Sequence, residues 1–211
     1  YFISRSLSVE ERHGATSESI FAVVRSRPLL LPRFFVRSFA STVIGQESAG
    51  SLPDFVFTLL GLSVLALYAL AFWRAAKLIE KERSMFPLCL IGSGFLNHMM
   101  VTASRWIFLR ENYGMSSRYA LQYQVGMLGL LLIFFLSARE SGTKRARRLA
   151  YGALLLFCLG NVLTTAHEIH MAPYRKENFV AMREVARNYA AESDETLVKT
   201  LSYHDAARIR K

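Results

Sequence analysis

Four runs of this chain are long enough to cross a lipid bilayer and carry no charge, and they constrain the fold more than any other feature. They cover residues 55–73, 85–104, 119–138 and 149–166. A hydrocarbon core of about 30 Å takes about 20 helical residues at ~1.5 Å each, so every run suffices. Backbone N–H and C=O groups find no water in lipid, so a spanning segment must pair them within itself, as helix. The apolar character encircles each run instead of forming one stripe at a 3.6-residue period, which excludes a soluble amphipathic bundle. The sequence therefore predicts an all-α integral membrane bundle with four transmembrane helices. An N-terminal interfacial amphipathic helix within residues 1–54 and a short helical C-terminal tail over 167–211 complete it.

Charge distribution sets the orientation. The net charge is +10 with 52% hydrophobic residues, and the cations gather in short connections beside the apolar runs. That placement orients a membrane protein and argues against a nucleic-acid partner. The 74–84 loop carries Arg74, Lys77, Lys81 and Arg83, and the 139–148 loop carries Arg139, Lys144, Arg145, Arg147 and Arg148. The longer 105–118 loop carries only Arg105, Arg110 and Arg118, and residues 46–54 carry Glu47 and Asp54 with no cation. The dense loops are expected in the cytoplasm. The 105–118 loop, residues 46–54 and the tail are then expected outside, in a bacterial cytoplasmic membrane.

Residues 17–45 differ from the spans. Ser17 is placed to cap a short helix ending at Pro28, and Pro32 to open another that runs to Gly45. In the second, Arg33, Arg37 and Ser41 share one face, while Phe34, Phe35, Phe39 and Val43 crowd the other. Two arginines at mid-membrane are costly, so this piece is expected to lie in the outer interface; a tilted fifth span is the alternative. From Pro173 onward the tail suits water. Phe179, Met182, Ala186 and Tyr189 form a stripe on one helix, and Asp194 is placed to cap a second. Cys89 and Cys158 lie within apolar runs and read as packing residues. A chain that opens on Tyr1 and closes on a basic segment reads as part of a longer one.

The stretch richest in binding chemistry is the 104–119 loop. Arg105, Tyr113, Arg118 and Tyr119 put guanidinium groups and aromatic rings at the membrane surface, suited to an anionic headgroup or a lipid-linked phosphate. The same residues also read as snorkelling anchors in an aromatic belt. Asn97, His98, Gln122 and Gln124 are polar groups inside spans; they suit hydrogen bonding between helices or, alternatively, a polar conduit. His167 and His170 share a helix face, but further ligands are missing, so no metal is expected. Glu47, Asp54, Glu111 and Glu168 are the acids at the outer end, and spacing selects none as a base. No cofactor fingerprint occurs, and none is expected.

An arginine closing one span, then Gly114 and Ser117-Arg118-Tyr119 opening the next, resembles a group of bacterial polytopic membrane proteins. These look like relatives of the GT-C glycosyltransferases, which use polyprenyl-phosphate sugar donors. Residues 33–45 resemble the interfacial segment before the first of these spans. Residues 201–205, with Tyr203 and Asp205, resemble that group's closing segment. The resemblance covers nearly the whole chain as the C-terminal part of a longer protein. It implies sugar transfer from a lipid-linked donor outside the cytoplasmic membrane, with a loop role for Arg105, Arg118 and Tyr119. The acidic base of that class belongs to an earlier outer loop that is not in this sequence, so no catalytic residue carries over. The partners expected are the bilayer, a polyprenyl-phosphate sugar, and further spans or a membrane partner. The alternatives are a transporter or flippase component and a non-catalytic structural subunit.

Overall fold

Helices α3 (Asp54–Glu82), α4 (Phe86–Arg105), α5 (Ala120–Ser141) and α6 (Lys144–Arg187) each contain one of the four apolar runs and are long and apolar enough to cross a membrane. They belong to a computed structural model that describes residues 16, 18–45, 52–82, 84–116, 119–201 and 210. Two short helices precede them, α1 (Ile20–Ser26) and α2 (Leu30–Ala40), and α7 (Asp194–Leu201) follows. Single 3-10 turns at Trp106–Phe108 and Tyr113–Met115 shape the connection between α4 and α5. Among the described residues there is no strand, so the protein is an all-α helical bundle. Glu47, Ser117, Arg118 and residues 202–205 lie outside the described residues.

Local chemistry explains the helix ends. Pro87 sits in the first turn of α4, where its missing N–H costs nothing. Gly142 ends α5 in the left-handed region at φ 61°, a conformation that costs glycine little. Thr143 then accepts from the Ala146 N–H at 3.3 Å and starts α6. Ser19, not Ser17, caps α1, accepting from the Ala22 N–H.

The chain divides into two compact units, residues 1–164 and 165–211. In the first, α4 and α5 cross where Gly94 and Gly126 face each other. A Cβ on Gly94 would lie 2.3 Å from the Gly126 Cα. Between lipid-embedded helices the gain comes from close packing, and small residues permit it. Around this crossing Val64, Tyr68, Ile91, Leu130, Ile133, Phe134 and Phe157 form the buried core. Phe55, Leu59, Leu62, Leu96, Met100, Leu128, Leu155 and Leu159 point outward, as lipid-facing residues do. Cys89 and Cys158 are free thiols on exposed faces and not packing residues.

Helix α2 is amphipathic, and it packs its apolar face into the bundle. Phe34, Arg37, Ser38, Phe39 and Ala40 are all buried. The Phe39 ring stacks on His98 at 3.9 Å and meets Tyr68 edge-on at 5.2 Å, well inside the bundle. At 11 residues, α2 spans about 16 Å and is too short for a fifth crossing. It is a short helix wedged among the spans and roofed by the 106–116 connection, where Gly114 lies against Phe34 and Ser38. Two glycines make the room. A Cβ on Gly61 would lie 2.0 Å from the Val36 carbonyl oxygen, and one on Gly160 would lie 1.9 Å from that of Val43. The arginines that argued against depth are neutralised by acids from other elements, as the site shows.

In the second unit α6 continues through Pro173 without ending there. Proline removes one helical hydrogen bond, and on an exposed face water can take its place. Arg175 holds Glu168 through both carboxylate oxygens. The cap of α7 is Ser193, which accepts from the Thr196 N–H at 3.2 Å, and not Asp194. Asp194 instead accepts two bonds from the Arg210 guanidinium, at 2.8 and 3.1 Å.

Candidate functional site

Arg33 and Arg37 are one helical turn apart on α2 and therefore point the same way. Asp54 and Thr58 are spaced alike on the first turns of α3. The connection after α4 supplies Arg110, Glu111, Asn112, Tyr113 and Ser116. Leu109 adopts φ 52° there, a left-handed conformation that costs a non-glycine residue about 1 kcal/mol. It turns the chain so that the following residues face α2.

Arg37 is the centre of this cluster, with its side chain only 7% exposed. Its Nη1 donates to Asn112 Oδ1 at 2.8 Å and lies 3.1 Å from Glu111 Oε2. Its Nη2 lies 3.3 Å from Asp54 Oδ2, and its Nε donates to Thr58 Oγ1 at 3.5 Å. All three guanidinium nitrogens are thus engaged, as burial of a charge requires. The other Glu111 oxygen, Oε1, is 3.3 Å from Arg33, so Glu111 bridges both arginines. Around them opens a cavity of about 700 Å³ lined by Arg33, Arg37, Asp54, Arg110, Glu111, Asn112, Tyr113 and Ser116.

The cluster is asymmetric in a chemically useful way. Arg37 is saturated by protein groups, while Arg33 is half exposed and Arg110 is exposed. Those two retain donors for an anion entering the cavity. Asp54 is 69% exposed, with one carboxylate oxygen on Arg37. The other oxygen is an acceptor for a hydroxyl.

Of the expected site residues that the structure describes, Arg105, Tyr113 and Tyr119, only Tyr113 lines this cavity. Its ring stacks on Phe108 at 4.5 Å. The Arg105 guanidinium lies 6.0 Å from the Phe108 ring centre and does not line the cavity. Tyr119 is buried with Phe34, Val101 and Tyr123. Arg118 lies outside the described residues. The residues that build the site, Arg33, Arg37, Asp54, Thr58, Glu111 and Asn112, were legible as types at one end of the bundle but not as partners. The signal that links them is the i, i+4 arginine pair on an apolar helix, which demands acids wherever it is buried.

A second polar feature lies deeper. His98 is fully buried between the Phe39 ring and the Tyr123 ring, at 3.9 and 3.8 Å. The Ser38 hydroxyl donates to the Phe35 carbonyl at 2.7 Å, so His98 Nδ1–H donates to Ser38 Oγ at 3.0 Å. That leaves Nε2 as an acceptor with no protein donor. Asn97 donates to the Gln122 carbonyl at 3.2 Å, and the Gln122 side chain is exposed. Asn97 thus ties α4 to the α5 backbone at Gln122, while His98 makes its own contact with Ser38. Replacing His98 by Phe preserves the ring stack and removes an unsatisfied acceptor, so stability should change by less than about 1 kcal/mol. His98→Ala should cost about 3 kcal/mol through the cavity it leaves. Denaturant unfolding in detergent measures both.

Among the described residues no three of His, Cys, Asp and Glu come together as metal ligands. In the second unit the His170 ring lies 6.1 Å from that of Tyr174. Neither protein-family models, nor curated proteins, nor solved structures yield a match to this chain.

Proposed function

We propose that the arginine-lined cavity binds the phosphate of a polyprenyl-phosphate-linked sugar, and that the protein serves a GT-C-like glycosyl transfer in the cell envelope. The cavity would then face the outside of a bacterial cytoplasmic membrane. The observation that carries this reading is the division of labour among the arginines. Arg37 is locked by Asp54 and Glu111, while Arg33 and Arg110 keep free donors at the mouth of a 700 Å³ cavity. Its position at the end of a lipid-facing bundle suits a ligand whose tail stays in the bilayer. The sparse positive charge of this end and the nine cations of the opposite loops support the outward orientation. Asp54 and Asn112 supply acceptors and donors of the kind sugar hydroxyls use.

The purified protein should bind a polyprenyl phosphate more tightly than the matching polyprenol, measured by native mass spectrometry from detergent. Arg33→Gln with Arg110→Gln should weaken the phosphate form by roughly tenfold, the worth of one or two charge-assisted hydrogen bonds. Arg37 is left intact because its guanidinium is already taken up by Asp54, Glu111 and Asn112. Equal affinity for phosphate and alcohol, or a double variant that binds as the parent does, would sink the proposal.

A further inference from the structure

The N-terminal turn of α6 carries Lys144, Arg145, Arg147 and Arg148, with no acidic residue in it. The helix dipole places partial positive charge at that end, so four cations there repel both the dipole and one another. Among the described residues none of the four has an ion-pair partner.

Three of the four, Lys144, Arg147 and Arg148, line one groove of about 460 Å³ with Tyr151, Gly152 and Leu155. The spacing i, i+3, i+4, i+7 and i+8 aligns them on one helix face, with the cations above and apolar residues below. The Tyr151 ring is fixed edge-on against Phe135 at 5.5 Å and forms one wall. Gly152, with open space where a side chain would stand, leaves the gap. Below it Leu155, Leu159, Val162 and Leu163 continue as an exposed apolar stripe along the span.

We infer that this groove is a binding site for an anionic diacyl phospholipid. The phosphate sits among Lys144, Arg147 and Arg148, the Tyr151 ring lies at the headgroup level, and an acyl chain lies over Gly152 and along Leu155. Charge complementarity selects the headgroup, since a guanidinium pair grips a phosphate and relieves the repulsion at the helix start. The apolar stripe selects a lipid over a soluble anion. The site is at the opposite end of the bundle from the arginine cavity and stands independently of the function proposed there.

The test uses the whole protein and phosphatidylglycerol against phosphatidylcholine, with bound lipid counted by native mass spectrometry. The parent should retain phosphatidylglycerol preferentially. Lys144→Gln with Arg147→Gln and Arg148→Gln should lower that preference at least roughly tenfold. Arg145→Gln removes a charge from the same turn but not from the groove and should leave the preference nearly intact. Gly152→Leu places an apolar side chain in the groove without changing charge, with open space at the Cβ position, and should weaken retention as well. A parent with no preference between the two lipids overturns the inference. So does an Arg145→Gln effect as large as one groove cation's, or a Gly152→Leu variant that binds as the parent does. Competition by millimolar glycerol phosphate, a headgroup without chains, would equally overturn it.

Discussion

Removing both carboxylates that hold Arg37, by Asp54→Ala with Glu111→Ala, should destabilise the first unit by about 3 kcal/mol, whereas Arg37→Met should cost less than half as much. The asymmetry follows from burial. The Arg37 side chain is 7% exposed, while those of Glu111 and Asp54 are 24% and 69% exposed. Strip away the acids and a guanidinium remains desolvated, with Asn112 and Thr58 as its remaining partners. Breaking a buried pair from one side is expensive because an uncompensated charge stays behind. Strip away the arginine and both carboxylates still line an open cavity, where hydration can replace the lost bonds. Methionine also keeps most of the aliphatic stem volume against its neighbours.

The triple variant sharpens the point. Adding Arg37→Met to the double alanine variant should recover much of the loss, since the buried charge is then gone. Reversible unfolding in detergent, followed by Trp fluorescence or far-UV dichroism, measures all three. A double alanine variant as stable as the parent would mean that Arg37 is hydrated in place. The clasp would then not be what holds α2 in the bundle.

The depth of α2 is also where sequence reasoning reached its limit. The four spans were legible because transfer into lipid acts on runs of neighbouring residues, and a charge-free run of about 20 has no soluble alternative. Arg33 and Arg37 on an aromatic helix were legible too, but their cost was judged as that of lone charges. Their partners come from the start of α3 and from the loop after α4, far along the chain, and no local pattern pairs them. Tyr119 shows the opposite case. It lies one turn before Tyr123, so both share a face, and Tyr123 stacks on buried His98. Helical periodicity alone would have turned Tyr119 inward, away from any ligand. Gly61 and Gly160 were hidden for another reason. Inside an apolar run a glycine barely alters hydropathy, yet here each one decides where another backbone can lie.

Those two glycines carry the second large effect. Gly61→Ala and Gly160→Ala each add one methyl group, and in each case it would lie about 2 Å from a backbone carbonyl oxygen, that of Val36 in α2 or that of Val43 in the turn just after it. A flexible side-chain tip can move aside at little cost, but a carbonyl moves only with its helix. Overpacking of this kind costs about 1–3 kcal/mol at one site. The two notches grip the same short segment, so the double variant should lose more than either alone and should displace α2 outright. Gly92→Ala and Gly152→Ala are the matched controls. Both sit in spans with open space at the Cβ position, and both should be neutral or slightly stabilising through helix propensity. Displacement can be read directly in a Cys89→Ala, Cys158→Ala background carrying Ser38→Cys. With both glycines present, the introduced thiol is buried beside His98 and should resist a water-soluble maleimide. In the Gly61→Ala, Gly160→Ala variant it should react readily. If the notch variants match the controls in stability and leave that thiol protected, the segment tolerates a shift large enough to admit both methyl groups. Its position would then be set by the Arg37 clasp alone. If the thiol reacts, the glycines are the seats that hold α2, and the arginine cavity depends on helix packing well below it.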